Sequence, residues 1–373
     1  MGRRLEEVLW LFYGEIGEPL LSMSQSLSRF AAPILWGTSQ AGSTLLLASS
    51  AWMVSGLTSS PFLNGLLPAV DALPALMNLG FRKSGYWLQL LGVSLLLICS
   101  FFYGQSQIAK IALIIASFLT IFMHGIGQEV SIVPLQKSIM ASSGVSMRRL
   151  QIGQEIGVLL GNLMTANLFP AVRQFIPALA LMLPMAHFLH RSSQASGVQE
   201  SSTPVKKKPE SNSLCLMQGV VLGSLFGMLA LWVREIDGGK CFDFAMVLVA
   251  YAVGRSLVAF VPKMQASLRY ILIVFLLVLI ELIPIPFISI LMFSVIGALV
   301  GASDFSLVER LESFGDLPSR WQVLQNSSAL GGLVGSIVLG IICEVLGLNV
   351  ALFAVCFGFV VLAFAVSRKS LMA

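Results

Sequence analysis

Long apolar stretches separated by short polar ones dominate this sequence of 373 residues. A helix of roughly 18 to 25 mostly apolar residues is long enough to cross the hydrocarbon core of a bilayer. Twelve stretches meet this criterion and are predicted to be transmembrane helices: 33–57, 60–80, 86–103, 108–128, 150–169, 171–189, 214–233, 242–262, 267–283, 286–303, 322–343 and 348–366. Glu281, Pro284 and Pro286 interrupt one apolar run and indicate a tight turn between the ninth and tenth spans. The pattern predicts an all-α membrane protein with twelve spans.

The composition agrees with this pattern, since 56% of the residues are hydrophobic, 11% are charged and the mean hydropathy is +0.87. A soluble fold of this length has too little polar surface to cover so much apolar side chain. The five cysteines are scattered without the spacing of a metal site or a disulfide framework. We therefore expect an integral membrane protein with no metal and no cofactor.

The basic residues orient the chain in the membrane. With twelve spans, 18 of the 23 Lys and Arg residues fall on the side of the N-terminus. Lys110, Arg173, Arg234 and Lys240 fall on the other side, and Arg255 lies inside a span. Because basic loops stay in the cytoplasm, we expect both termini to be cytoplasmic and the protein to lie in the plasma (inner) membrane. The net charge of +5 therefore reflects topology and lipid contact and does not indicate nucleic-acid binding.

A polar stretch divides the chain into two halves of similar length. This stretch is rich in Ser, Glu and Lys, contains Lys206, Lys207 and Lys208, and lacks the apolar residues needed for a packed core. The predicted units are a cytoplasmic amphipathic or disordered arm (1–30), an N-terminal six-helix half (31–189), a cytoplasmic linker (190–213), a C-terminal six-helix half (214–367) and a cytoplasmic tail (368–373).

An internal repeat supports the two halves. The motif Arg149, Gln151, Gln154 recurs 171 positions later as Arg320, Gln322, Gln325, at the start of the fifth span of each half. At the same offset, the small residues Gly157, Gly161 and Thr165 correspond to Ser328, Gly332 and Ser336. Both copies start on the same side, which predicts two parallel repeats. Small residues four apart permit close helix approach, so the glycines are interpreted first as packing residues.

The segments Leu57–Pro68 and Ala72–Met77, together with Trp36-Gly37 and Gly42-Ser43 in the first span, resemble the major facilitator superfamily. Within it, the drug and siderophore exporters (enterobactin and macrolide exporters) are the most similar in appearance. The resemblance is most specific in residues 33–85 and implies the twelve-helix major facilitator fold. It also implies a small-molecule substrate and transport by alternating access.

One signature of that superfamily is incomplete in this chain. The loop between the second and third helices usually carries an acidic residue between its glycines, whereas this chain has only Gly80, Arg82, Lys83 and Gly85 at the matching positions. The resemblance implies that this loop pairs with charged helix ends and holds one state of the cycle. Arg82 and Lys83 either keep part of that role or enforce topology alone.

Three ionisable residues, Asp71, Glu155 and Arg255, lie well inside predicted spans. Insertion of each such side chain into the membrane costs roughly 2.5 to 3.5 kcal/mol. Glu155 and Arg255 both lie roughly 8 to 11 Å from the cytoplasmic boundary. The resemblance implies that the fifth and eighth helices face each other across the halves. We therefore expect an ion pair that closes the cytoplasmic side and breaks on opening, the alternatives being a fixed structural pair or two separately solvated groups.

Asp71, in the middle of the second span, is the candidate proton-coupling carboxylate. The alternative is a structural acid hydrogen-bonded to Gln322 or Gln325. His124 in the fourth span is interpreted as a packing histidine. Five further amides are candidates for lining a polar cavity: Gln154, Asn162, Gln218, Gln325 and Asn326.

These features favour a secondary active transporter that moves a small organic or amphipathic solute, as an exporter coupled to protons. No nucleotide-binding loop motif occurs, which argues against ATP as the energy source. A transport-inactive scaffold or assembly protein is the alternative, and an intramembrane enzyme is disfavoured because no acid or cysteine is grouped with the three histidines. The predicted partners are the substrate, the lipid bilayer and protons, with the protein acting as a monomer.

Overall fold

The computed structural model describes residues 33–34, 36–76, 88, 90–92, 94–95, 107–129, 147–168, 211–235, 238–283, 285–315 and 317–371. The predicted N-terminal arm, the sixth span, most of the linker and the loop residues Gly80, Arg82, Lys83 and Gly85 lie outside this part of the chain. All structural statements below concern the described residues.

The described residues are almost entirely helical. The first five helices are α1 (33–57, apart from residue 35), α2 (Pro61–Leu76), α3 (88, 90–92 and 94–95), α4 (Gln107–Gly127) and α5 (Met147–Leu168). The later helices are α6 (Ser213–Glu235), α7 (Cys241–Ser256), α8 (Ala266–Leu282), α9 (Pro286–Arg310), α10 (Leu317–Leu346) and α11 (Ala351–Leu371). Helices α6 to α11 correspond to the seventh to twelfth predicted spans. We call α1–α5 the N-terminal group and α6–α11 the C-terminal group.

Among the described residues, five helices are long and apolar enough to cross a membrane, namely α4, α6, α9, α10 and α11. The predicted turn between the ninth and tenth spans is confirmed, because α8 ends at Leu282 and α9 begins at Pro286. Other boundaries differ from the prediction. Helix α7 ends at Ser256 instead of residue 262, whereas α9 continues to Arg310 instead of residue 303. Helix α11 extends to Leu371, into the segment predicted as a tail.

The small residues of the repeat bring parallel helices together in both groups. In the N-terminal group, a Cβ atom at Gly157 would collide with the backbone of Gly37, and one at Gly161 would lie 2.5 Å from the carbonyl oxygen of Ala41. In the C-terminal group, the backbones of Gly219 and Ser328 approach each other just as closely. Helix α5 thus packs on α1 as α10 packs on α6. The packing interpretation of these residues therefore has direct geometric support.

Among the described helices, the contacts between the two groups include those of α2 with α10 and with α6, of α5 with α7, and of α1 with α6 and α7. We name the two ends of the bundle after Pro61, the first residue of α2, and Arg310, the last residue of α9. The Pro61 end contains the ends of α1, α6 and α10 and the starts of α2 and α7. The Arg310 end contains the ends of α7 and α9 and the starts of α6, α8 and α10.

Candidate functional site

A charged cluster joins the two groups near the Arg310 end. Glu155 on α5 accepts a hydrogen bond from Nε of Arg255 on α7, with 2.9 Å between the nitrogen and Oε1. The second arm of the same guanidinium donates to Oδ2 of Asp304 on α9, also at 2.9 Å. Only 4% of Glu155 is exposed. The structure therefore brings together the two residues that the sequence singled out, and it adds a third.

Asp304 lies deeper in the bundle than the hydropathy pattern predicts. The predicted tenth span stops at residue 303, which left Asp304 at a boundary where water or headgroups reach it. Instead, α9 continues for two turns, and Asp304 is buried inside it. The burial is possible because both carboxylate oxygens have donors, Arg255 on one side and the Gln218 amide on the other at 2.5 Å. Arg255 consequently holds two carboxylates, one from each group.

Gln218 continues this network into the C-terminal group. Its amide nitrogen donates to Asp304, and its carbonyl oxygen accepts from the hydroxyl of Tyr270 on α8 at 2.8 Å. Gln218 is 1% exposed, so its two polar groups serve internal contacts and do not line an open cavity as the sequence suggested. The network fixes Asp304, which in turn fixes Arg255 in a position to reach Glu155.

A second polar cluster lies inside the N-terminal group. Oδ1 of Asp71 on α2 is 2.8 Å from Nδ1 of His124 on α4. On the other side of the ring, Nε2 is 3.0 Å from the hydroxyl of Ser43 on α1 and 3.1 Å from the amide nitrogen of Gln128. The partner of Asp71 is thus His124, and the expectation of a hydrogen bond to Gln322 or Gln325 is wrong. His124 is buried and both of its ring nitrogens have hydrogen-bond partners, as expected of a packing histidine. One of those partners, however, is the carboxylate of Asp71.

The two clusters occupy comparable places in their groups. Ser43, Asp71 and His124 connect α1, α2 and α4, whereas Gln218, Arg255 and Asp304 connect α6, α7 and α9. These are the first, second and fourth helices of each predicted half. The sequence repeat gives no sign of this correspondence, because the residue types differ at every position.

At the Pro61 end the two groups are held by a different set of contacts. The guanidinium of Arg234 on α6 lies 3.9 Å from the ring centroid of Trp52 on α1 and donates to the Trp52 carbonyl oxygen at 2.9 Å and to the Ser55 hydroxyl at 3.1 Å. Trp52 also stacks on Phe244 of α7, with 5.6 Å between ring centroids. A cation over an aromatic face together with two hydrogen bonds makes a strong contact between helices.

A carboxylate from α10 completes the contacts at this end. Oε2 of Glu344 accepts hydrogen bonds from the Ser60 hydroxyl at 2.8 Å and from the Phe62 backbone nitrogen at 3.0 Å. The first N–H groups of a helix lack partners within that helix, and a negative charge is favourable there. Glu344 therefore caps α2 of the opposite group.

The remaining candidates have varied surroundings. Asn162 is 2% exposed, and its side-chain oxygen has no hydrogen-bond partner. Gln154, Gln325 and Asn326 are half-buried. Arg320 donates to the carbonyl oxygen of Gly315 at 2.7 Å and so closes the start of α10, while Gln322 is half-buried in the same helix. Arg149 and Gln151 belong to α5, but their side chains lie outside the described part.

Comparison with solved structures shows which fold this is. A point mutant of the nucleoside transporter NupG matches with a TM-score of 0.58 and 13% identity over 91% of this chain and 99% of its own. A bacterial homologue of the human lysosomal transporter Spinster, in an inward-facing and occupied conformation, matches with a TM-score of 0.55 and 14% identity over 92% of this chain and 97% of its own. The human organic anion transporter MFSD10 (TETRAN) matches with a TM-score of 0.51 and 13% identity over 91% and 99%.

No protein-family model matches the sequence, and no curated protein matches it significantly. The structural neighbours are transporters of the major facilitator type, so the chain has that fold. With its apolar helices, this makes it an integral multi-pass membrane protein.

Proposed function

We propose that the protein is a secondary active transporter that moves a small organic or amphipathic solute by alternating access. The observation that carries this proposal is the similarity of nearly the whole chain to three transporters. The proposal includes twelve membrane-spanning helices in two six-helix halves, with the Arg310 end and both termini in the cytoplasm and the protein acting as a monomer in the inner membrane. Export coupled to protons is the proposed direction and energy source.

Contacts at both ends of the bundle support alternating access. Arg234 and Glu344 join the two groups at the Pro61 end, while Glu155 and Arg255 join them at the Arg310 end. A solute can enter from one side only if the contacts on that side break. We propose that Glu155 and Arg255 separate in the state open to the cytoplasm, and that the Arg234 and Glu344 contacts separate in the opposite state.

The position of Asp304 supports this role for Glu155. When the groups move apart, Arg255 keeps a carboxylate from its own group and is not left as a buried unpaired charge. Glu155 alone loses its partner. Opening therefore costs less than the separation of an isolated buried ion pair, which is what a reversible gate requires.

Asp71 is the proposed coupling carboxylate. It lies on α2 beside a histidine in the described part of the N-terminal group, and acids within transporter helices commonly carry protons. In this proposal a proton on the cluster of Asp71 and His124 drives the exchange of one open state for the other.

Flux into proteoliposomes tests the proposal. The purified protein is reconstituted, a pH gradient is imposed, and uptake of labelled solutes is measured, with nucleosides and organic anions in the panel because similar proteins carry those names. We expect at least one solute to move in response to the gradient. We expect Asp71→Asn to abolish the dependence on the gradient, with Asp243→Asn, an acid at the exposed start of α7, as the matched control. A panel without any flux would refute transport of these classes, and full gradient dependence in Asp71→Asn would refute its coupling role.

A further inference from the structure

The hydrogen-bonding groups around His124 allow the protonation state of its ring to be worked out. When Asp71 is ionised its carboxylate only accepts hydrogen bonds, and Nδ1 of His124 then carries a proton and donates to it. In a neutral ring Nε2 is then an acceptor. The Ser43 hydroxyl and the amide nitrogen of Gln128 are both placed to donate to it, at 3.0 and 3.1 Å. Gln128 also donates to the Ser43 oxygen at 2.6 Å, which leaves the hydroxyl proton free to point at the ring.

A second proton on the ring is incompatible with this arrangement. Protonated Nε2 becomes a donor and faces the N–H groups of Gln128 at 3.1 Å. Two donors at that distance repel each other, so the Gln128 amide must reverse and present its oxygen, or move away. Ser43 must also change from donor to acceptor towards the ring. The interaction with Asp71 becomes stronger instead, because the imidazolium neutralises the charge of the carboxylate.

We infer that His124 and Asp71 form a proton-binding site whose occupancy is sensed by the side chain of Gln128. The empty site carries one negative charge and matches the orientation in which Gln128 presents its amide nitrogen to the ring. The loaded site is neutral and requires the opposite orientation. This goes beyond the coupling role of Asp71, because it assigns the proton to the imidazole and names the group that responds.

The local backbone is suited to such a response. Helix α4 ends at Gly127, and the next two residues, Gln128 and Glu129, continue it with π-helical hydrogen bonding. Single π-helical turns inside α-helices are rare and occur often at functional sites. Gln128 therefore sits where the helical hydrogen bonding is already irregular, at the end of α4.

The groups that face His124 come from three helices. Asp71 on α2 is the charged one, Ser43 faces the ring from α1, and Gln128 belongs to α4 itself. Helix α3 contacts α4 through Gly92, against Thr120 and Met123, and the described residues of α3 (88, 90–92 and 94–95) include no titratable group. Within the described residues, Asp71 is thus the charged group at hydrogen-bonding distance from the ring.

Nitrogen NMR of the intact protein in detergent or nanodiscs tests the inference without any substrate. The sequence has three histidines, His124, His187 and His190, so ¹⁵N-histidine labelling gives few signals, and His124→Gln identifies the relevant one. We expect the Nδ1–H tautomer for neutral His124 and a doubly protonated ring on acidification. A Nε2–H tautomer, or a ring that stays neutral from about pH 8 to about pH 5, would overturn the inference.

Two substitutions test the partners. Asp71→Asn removes the facing carboxylate and is expected to lower the ratio of protonated to neutral His124 at a given pH by at least about tenfold. Gln128→Leu removes the opposing donor and is expected to raise this ratio, while His190→Gln leaves it unchanged. If Gln128→Leu fails to fold, Gln128→Glu supplies an acceptor of similar size and is expected to act in the same direction. An unchanged ratio in either folded Gln128 variant would refute the sensing role.

The outcome is separable from that of the proposed function. This inference rests on the proposed function only in the statement that the bound proton drives transport. Absence of flux with the expected titration would overturn transport alone. Gradient-driven flux with a His124 ring that never takes a second proton would overturn this inference alone.

Discussion

Removal of the Glu155 carboxylate is expected to open the Arg310 end. The Glu155→Gln side chain keeps nearly the same shape, but the charge that attracts Arg255 is lost. A hydrogen bond between charged groups contributes roughly 1.5 to 3 kcal/mol. Because Arg255 is 18% exposed and one donor reaches Glu155, at 2.9 Å, the lower value applies. About 1.5 kcal/mol corresponds to roughly a tenfold rise in the ratio of open to closed molecules.

Distance measurements between spin labels can detect this change. Ile152 on α5 and Ser256 on α7 are exposed near the Arg310 end, and Asn167 and Phe242 are exposed near the Pro61 end of the same two helices. Labels at these pairs, in a background without the native cysteines, report on both ends of one helix pair. We expect Glu155→Gln to increase the long-distance population at Ile152 and Ser256, and alternating access predicts the opposite change at Asn167 and Phe242.

Two control variants separate the gate from a general effect of charge. Glu309→Gln removes an exposed carboxylate at the same end and is expected to leave both distance distributions unchanged. Asp304→Asn leaves the Glu155 carboxylate in place but removes the one that would stay with Arg255 after separation, so opening should cost more and the Arg310 end should stay closed. If Glu155→Gln changes the ratio at the Arg310 end by less than about twofold, the pair is structural and the gate hypothesis fails.

Other consequences are open to direct measurement. Arg234→Gln removes the cation over Trp52, a contact of about 1 kcal/mol. The open population at the Pro61 end should rise roughly fivefold in the same spin-label assay. An unchanged distance distribution there would show that this contact does not hold the end closed. Gly161→Ala places a methyl group 2.5 Å from the Ala41 carbonyl oxygen and should destabilise the protein by about 1 to 3 kcal/mol in thermal unfolding. At the matching repeat position, the methyl group of Gly332→Ala has its nearest neighbour 3.8 Å away, so this variant should be neutral or stabilising. Equal effects of the two substitutions would contradict the close packing of α1 on α5. Asp71→Asn should remove the pH-gradient dependence of flux, and the same variant should reduce protonation of His124, which NMR measures independently.

The contact between Glu155 and Arg255 shows how far sequence reasoning reaches in a membrane protein. Charged residues within apolar spans are so few that each one is conspicuous, and equal depth from one boundary suggests which of them meet. Pairing of the fifth and eighth helices came from the resemblance to a known fold, and the contact geometry agrees with that pairing.

Residues near predicted boundaries were harder to assign. Asp304 follows Ser303 and precedes Glu309 and Arg310, so hydropathy alone ends the span before it. The helix continues because Arg255 and Gln218 satisfy the carboxylate, and those partners are remote in the sequence. From its position, Arg234 is predicted to lie in a loop on the side opposite the N-terminus. In the structure it lies against the face of Trp52, on the first helix of the opposite group. Hydropathy measures transfer into lipid and contains no information about such partners.

The two polar clusters differ in the kind of cation that they contain, and this difference suggests different roles for the two groups. Arg255 stays charged under all physiological conditions, so the C-terminal group holds a permanent cation at this position, and separation from Glu155 is the change proposed for it. In the proton-binding site that we infer at His124 and Asp71, the cluster of the N-terminal group changes its charge while its helices stay together. Comparable positions in the fold therefore carry a permanent cation in one group and a switchable one in the other. The two clusters share no residue in the described part of the chain, so we propose that a proton bound at His124 influences the gate through helix movement. The end of α4 at Gln128 is where that movement would begin, and a spin-label response at the Arg310 end to His124→Gln would establish the connection.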